Sequence, residues 1–434
     1  MTEEKFDAIV VGAGPAGIAA ALVMARAGLE VVVFEKGEFP GSKNVFGGIL
    51  FTQVLNELIP EFWKEAPLER NITRRKFSLL SEDAEMEFSF KTDGFNTPPY
   101  NNSFTAIRSK FDRWFASKAE EAGAMILSAS TVDDFIYSDG KICGVRARRE
   151  EGDLYADAVI CAEGANALLS EKAGMREKLS PHEMALGVKE VIRLSREAVE
   201  ERFNLNENEG AAHEYFGSAV AGLVGGAFLY SNLDTISIGI GVSVDNLIQR
   251  KESGNMILEK FKNHPCIYPY VKGGESIEYS AHLIPEGGYN RIPKLVRDGL
   301  IIVGDCAGFV NASHYHEGTN LAMASGKFAA DTVVEAKSRG DFSEKGLFSY
   351  VERLNESFVM KDLKKFKRFF EFAHRNREIF AEYPSIFAEL LQDFFTISME
   401  SKEEIQKRVL KKYRSKIGYM KTLRLLNKMR KTFL

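Results

Sequence analysis

Gly12, Gly14 and Gly17 stand at the spacing G-x-G-x-x-G within Gly12-Ala13-Gly14-Pro15-Ala16-Gly17, and Glu35 follows the last of them by 18 residues. Glycines so placed serve a sharp reversal, a close approach of backbone to pyrophosphate, and a close lie of helix on strand. A carboxylate at Glu35 can accept hydrogen bonds from both hydroxyls of an unphosphorylated adenosine ribose. This is chemistry for holding the ADP half of a dinucleotide. NAD and FAD share that half, so the motif alone leaves the cofactor open.

The elements that position these residues are legible beside them. Asp7-Ala8-Ile9-Val10-Val11 is a short apolar run ending at the first glycine, alanine-rich sequence continues to Ala27-Gly28, and Val31-Val32-Val33-Phe34 leads into Glu35. The pattern is strand, tight turn, helix, strand. A helix starting at Pro15 offers unpaired N–H groups and a positive dipole end to phosphate. A second apolar run, Gly299-Leu300-Ile301-Ile302-Val303, ends at Gly304-Asp305-Cys306-Ala307-Gly308-Phe309.

At 434 residues with 45% hydrophobic side chains, the chain can fill two or three domain cores. Its four cysteines, Cys143, Cys161, Cys266 and Cys306, form no C-x-x-C pair, so no disulfide framework, zinc site or iron–sulfur site is written in it. No metal site is expected. The N-terminus lacks a signal-peptide pattern and no apolar run reaches membrane-spanning length, from which a cytoplasmic location is expected. The longest apolar run, Ala219 to Tyr230, is 12 residues with three glycines and reads as a buried strand pair. The net charge of −4 conceals an acidic body and a tail, residues 405–434, with eleven Lys or Arg and no acid.

The segment at Gly304-Asp305 resembles that of FAD-dependent oxidoreductases, where the aspartate binds the ribityl chain that NAD lacks. Arg108-Ser109-Lys110-Phe111-Asp112-Arg113-Trp114 resembles the same group, in which an arginine at Arg108's position reaches the cofactor; capping a helix or pairing with an acid is the alternative. Ala162-Glu163-Gly164 looks like a strand end that usually reads Asp-Gly, with Glu163 in place of the aspartate.

Across residues 5–335 the pattern resembles the electron-transfer flavoprotein:quinone oxidoreductase family and its shorter FixC branch. The resemblance rests on Pro40-Gly41-Ser42-Lys43-Asn44 with Gly47-Gly48, Gly225-Gly226-Ala227-Phe228-Leu229-Tyr230, Phe261-Lys262-Asn263-His264-Pro265, Gly287-Gly288-Tyr289 before Ile292-Pro293-Lys294-Leu295, and Ala307-Gly308-Phe309-Val310-Asn311 leading to Glu317-Gly318-Thr319-Asn320. It implies an FAD held by Gly12, Ala13, Gly14, Pro15, Ala16, Gly17, Glu35, Lys36, Lys43, Asn44, Gly47, Gly48, Arg108, Gly304, Asp305, Gly318, Thr319 and Asn320. The isoalloxazine edge would lie over the helix start at Gly318. Gly225 and Gly226 would lie near a quinone headgroup, a β-bulge or tight turn being the alternative. His314 and His316 are candidate proton donors, structural or exposed histidines being the alternative.

The resemblance further implies electron transfer from electron-transfer flavoprotein subunits to a membrane quinone. Long family members end in a cysteine-rich ferredoxin-like domain, whereas nothing after Cys306 is a cysteine; a separate ferredoxin-like iron–sulfur subunit is therefore expected. The rivals are a prenyl-lipid reductase of the geranylgeranyl reductase type, a flavin hydroxylase, and an assembly scaffold with a redox-idle flavin. No nucleic-acid partner is expected.

The fold class is α/β. A discontinuous Rossmann-type FAD-binding domain occupies residues 1–75, 104–172 and 293–340, a β-rich quinone or substrate domain is inserted at 76–103 and 173–292, and a helical, basic region covers 341–434. In that region Leu410, Tyr413, Ile417, Met420, Leu423, Leu426 and Met429 recur at helical spacing opposite cationic residues, with Gly418 expected to bend or break the helix. Such a face suits the inner face of the cell membrane or an acidic partner, and equally a helix packed on its own domain.

Overall fold

The computed structural model describes residues 5–43 and 48–433. Two compact units are present. One comprises residues 1–72, 93–184 and 281–367; the other comprises 73–92, 185–280 and 368–434. The connections at 93–103, 173–184 and 281–292 thus belong with the nucleotide-binding strands, and the tail from Arg368 clusters with the inserted sheet instead of standing alone.

The first unit is built on a twisted sheet in the order Val296–Arg297, Leu300–Ile302, Asp153–Cys161, Lys5–Val11, Val31–Phe34, Met125–Leu127. The four pairings from Leu300–Ile302 across to Met125–Leu127 are parallel, and Leu300–Ile302, Val31–Phe34 and the carboxyl halves of Lys5–Val11 and Asp153–Cys161 are buried on both faces, which explains the unbroken apolar sequence there. Register places Val11 beside both Cys161 and Phe34, and Cys161 beside Ile302. Gly12, Glu35, Ala162 and Gly304 therefore emerge together at the carboxyl edge, the place where open α/β sheets bind ligands.

Two helices pack there on each other through small residues. Pro15–Arg26 buries Ala16, Ala19 and Ala20; the long helix Thr319–Arg339 crosses it so closely that a Cβ at Gly326 would lie 2.0 Å from the Ala16 carbonyl oxygen. The polar Thr332 and Ser325 are fully buried in this long helix, Ser325 donating to the Ala322 carbonyl.

The second unit carries an antiparallel sheet with Met184–Arg193, Thr235–Ser243, Gly225–Ser231, Glu209–Gly217 and Asn71–Leu80 as successive neighbours, Glu85–Lys91 pairing with the last. The expected strand at Thr235 is present. The apolar run from Ala219 differs from the expected strand pair: it gives one 3-10 turn, Ser218–Val220, and one strand, because Ala221 and Gly222 adopt left-handed conformations between them. The tail helix breaks at Gly418, φ +77°, into Lys402–Lys416 and Tyr419–Phe433. Among the described residues no helix is long and apolar enough to cross a membrane.

Candidate functional site

Each glycine of the first turn answers a different steric demand. Gly12 has φ +107°, and a Cβ there would meet the Ala162 carbonyl oxygen at 2.3 Å. At Gly17 a Cβ would sit 1.9 Å from the Gly12 carbonyl oxygen. Gly14 is unlike both: φ is −79° and a Cβ would meet nothing within 4 Å. Gly14 thus borders open space at the start of a helix whose first residue, Pro15, has no N–H to leave unpaired. Packing accounts for Gly12 and Gly17, whereas Gly14 faces open space.

Glu35 is 8% exposed, and its carboxylate accepts from the backbone N–H of Ala13 at 3.0 Å and of Gly37 at 2.6 Å. Those bonds fix its orientation and leave lone pairs for a ribose. Ala13 meets the cofactor site through this contact, its N–H being spent on Glu35. Lys36 and Lys43 are exposed, and Gly48 is buried with its carbonyl accepting from Ala106 N–H. Asn44 and Gly47 lie outside the described residues.

Gly304 donates its N–H to Ser325 Oγ at 3.0 Å, which ties the strand end to the long helix. The next residue, Asp305, is half-buried, and no hydrogen bond from a described residue reaches its carboxylate. Burial pushes this carboxyl up from its ordinary range against the pull of His282, Arg108 and Arg176. His282 is pushed down by burial while Asp305 draws it up. Both His282 and Arg176 escape sequence reasoning, because strand Glu275–Pro285 and the turn after Met175 bring them from outside every motif.

Arg108 does pair with an acid. Its Nε and Nη2 donate to the two oxygens of Asp112 at 2.8 and 2.9 Å, with both side chains buried. Burial pushes Asp112 up and Arg108 opposes it. The fork leaves Nη1 outside the pair, and the positive charge still acts on Asp305 and His282. Glu163 plays a structural part, accepting from Leu169 N–H at 2.8 Å and from Ser170 N–H and Oγ at 2.7 Å, and so caps the short helix Leu168–Lys172.

At the start of the long helix, the Glu317 carboxylate accepts from Asn311 Nδ2 at 3.1 Å and Asn320 Nδ2 at 2.9 Å. Thr319 Oγ1 and Asn320 Oδ1 are buried without a hydrogen-bond partner, and the first N–H groups of the helix point the same way as its positive dipole end. His314 packs its ring on Tyr315 at 4.2 Å and edge-on to Phe366 at 5.5 Å. His316 is exposed, with φ +48°.

Glu286 is the titratable neighbour of His316. Burial pushes it up to about 7, with His316 opposing. The group gains a proton on folding at neutral pH, so the stability it gives is full below about pH 4.5 and lost as pH rises through about 7. Denaturant titrations at about pH 5 and about pH 8 are expected to show wild type losing about 2 kcal/mol relative to Glu286→Gln.

Sheet packing accounts for Gly225 and Gly226 within the second unit. A Cβ on Gly225, φ +149°, would lie 2.1 Å from the Gly241 carbonyl oxygen across the strands, and one on Gly226 would lie 3.2 Å from the Phe216 ring. Among the described residues no group of His, Cys, Asp and Glu is placed to hold a metal ion.

These residues fit an FAD: the open Gly14 surface, the lone pairs on Glu35, the unengaged Asp305 carboxylate and the unpartnered Thr319 Oγ1 are the groups such a cofactor needs. Known proteins agree. Residues 7–182 match the model of the FAD dependent oxidoreductase family, and 369–434 match the ETF-QO/FixC family C-terminal domain. The chain is 44% identical over 416 residues to Protein FixC of Azorhizobium caulinodans, covering 95% of each. It is 41% identical over 430 residues to the probable electron transfer flavoprotein-quinone oxidoreductase YdiS of Escherichia coli, covering 98% of this chain and 97% of that one. Among solved structures, a geranylgeranyl bacteriochlorophyll reductase-like protein from Thermoplasma acidophilum superposes with a TM-score of 0.74 at 22% identity, over 99% of this chain and all of that one. At that identity the likeness speaks for the fold alone. The chain belongs to the FixC and electron-transfer flavoprotein:quinone oxidoreductase family, and it is an FAD-dependent oxidoreductase.

Proposed function

We propose that the chain receives electrons from an electron-transfer flavoprotein system, directly or through a separate ferredoxin-like iron–sulfur subunit, and delivers them to a quinone. The observation that carries this reading is end-to-end similarity, above 40% identity, to FixC proteins and to YdiS. Bound FAD supplies the redox chemistry, taking up two electrons and passing them on.

The residues hold and tune that cofactor. Gly14 would receive the pyrophosphate at the helix start, with Gly12, Ala16 and Gly17 keeping turn and helices close and Pro15 fixing the first turn; Glu35 would hold the adenosine ribose and Asp305 the ribityl hydroxyls. Arg108, Lys36 and Lys43 supply positive charge along the cofactor, and Gly48 lets the chain pass close to it. The N–H groups at Gly318, Thr319 and Asn320 favour negative charge on the reduced ring by about 1–2 kcal/mol. Quinone reduction also consumes two protons. Glu286 and the exposed His316 form the relay that admits them from solvent, whereas His314 serves as packing.

Contact with an anionic membrane face falls to the tail. On helix Tyr419–Phe433, Met420, Leu423 and Leu426 are exposed beside Lys421, Arg424 and Arg430. Saturation of prenyl lipids finds support only in the fold-level likeness at 22% identity.

The test is an anaerobic mixture of reduced electron-transfer flavoprotein, the iron–sulfur subunit, this protein and a soluble quinone analogue. Quinol is expected to form only with this protein present. Quinol formation at the same rate in its absence, or saturation of an added prenyl lipid in place of quinol, would contradict the proposal.

A further inference from the structure

Arg176 is 7% exposed, and among the described residues it has no ion pair. A buried guanidinium without a paired carboxylate is costly, so what it bridges matters. Its Nη1 donates to the Ala165 carbonyl at 3.4 Å and to the Cys306 carbonyl at 3.3 Å. The two carbonyls follow the neighbouring strands Asp153–Cys161 and Leu300–Ile302, which pair in register at Cys161 and Ile302. Cys306 belongs to the 3-10 turn Gly304–Ala307, which also carries Asp305, and its thiol donates to the Cys161 carbonyl at 3.1 Å. Arg176 thus fastens the turn from one side while the Gly304 N–H fastens it to Ser325 from the other.

Arg176 is itself anchored through Glu163. The N–H groups of Met175 and Arg176 both donate to the Ser170 carbonyl, at 3.0 and 3.3 Å. Ser170 is fully buried, and it is the residue whose N–H and Oγ the Glu163 carboxylate accepts at 2.7 Å. A continuous set of hydrogen bonds therefore runs from Glu163 through Ser170 and Arg176 to the turn that bears Asp305. Charge adds to the geometry. His282, from strand Glu275–Pro285, and Arg108, from helix Arg108–Glu121, also act on Asp305, and Lys36 faces His282. Arg108 is already paired with Asp112 and burial holds His282 down, which leaves Arg176 as the lasting cation for Asp305 among the described residues.

We infer that Arg176 is a positioning residue for the cofactor: by bridging the Ala165 and Cys306 carbonyls it holds the turn in which Asp305 meets the ribityl hydroxyls, and Glu163 acts through it by capping the helix that anchors it. The inference rests on the proposed ribityl role of Asp305. It gives Glu163, which departs from the aspartate expected at that strand end, a part in the cofactor site.

The test is FAD titration of apoproteins between about pH 5 and about pH 8, followed by flavin fluorescence. Without Arg176, burial pushes the Asp305 carboxyl further up, so binding that needs the carboxylate is lost at a higher pH as acid is added. Arg176→Met is expected to raise the midpoint of that loss by about one pH unit and to weaken FAD about tenfold at the alkaline end. In an Asp305→Asn background the same substitution is expected to move no midpoint. Glu163→Ala is expected to weaken FAD by about threefold in wild type and to add nothing once Arg176 is Met. An unmoved midpoint in Arg176→Met, or the same loss at every pH in both backgrounds, would overturn the inference. Where Arg176→Met fails to fold, Arg176→Lys decides: weaker FAD with the wild-type midpoint is expected, and undiminished affinity would overturn the bridge. Undiminished FAD affinity in Asp305→Asn alone would instead sink the ribityl reading, so the two failures give different results.

Discussion

Gly14→Ala leaves the protein folded and removes most of its FAD. At Gly14 an alanine Cβ meets no protein atom and φ is ordinary for an L-residue, so the apoprotein is expected to keep its stability to within about 1 kcal/mol, an N-cap effect. On the proposed reading the methyl occupies the surface that would receive the pyrophosphate, and FAD affinity is expected to fall by about thirtyfold or more. Gly17→Ala supplies the contrast. Its Cβ would sit 1.9 Å from the Gly12 carbonyl oxygen, so helix and turn must separate, and apoprotein stability is expected to fall by about 3 kcal/mol along with FAD binding. Denaturation of the apoproteins and flavin titration of each variant measure both effects. Equal destabilisation by the two substitutions would mean that the open surface at Gly14 has been misassigned.

Asp112→Asn is expected to cost about 3–5 kcal/mol, because it strands the buried Arg108 guanidinium without its counter-charge. Adding Arg108→Met to Asp112→Asn removes the stranded charge and is expected to recover at least half of that loss in urea denaturation. The double variant also separates two roles of Arg108. If it recovers stability yet binds FAD weakly, the arginine charge serves the cofactor as well as the pair; full FAD affinity in the double variant would reduce Arg108 to a structural residue.

The carboxyl edge was legible because parallel pairing converts local patterns into a site. Each of the runs before Gly12, Glu35 and Gly304 is a short buried strand, and once the strands pair in register their ends must coincide. Side-chain partnerships were less legible. Arg108 and Asp112 are one helical turn apart, a spacing that itself announces a pair, yet the family pattern assigned the arginine to the cofactor. Glu163 caps a helix that begins five residues later, and neither its acidic character nor its departure from aspartate reveals that use. Glu286 and His282 were invisible for another reason: they lie at the end of an irregularly patterned strand, and only tertiary packing places them near His316 and Asp305. Domain limits shifted because residues 93–103 join the first unit through Ser103–Thr105, which pairs with Ile49–Phe51. Apolar spacing in the tail foretold its helices and the break at Gly418, but spacing is silent about which unit such helices join.

Transfer of electrons from this protein's FAD to a quinone is tested by rapid mixing of the anaerobically reduced holoprotein, freed of reductant, with a soluble menaquinone or ubiquinone analogue. The oxidised flavin spectrum is expected to return at a rate that rises with quinone concentration and saturates, with one quinol formed per flavin oxidised. Reoxidation no faster than in buffer alone, with every quinone tried, would contradict it.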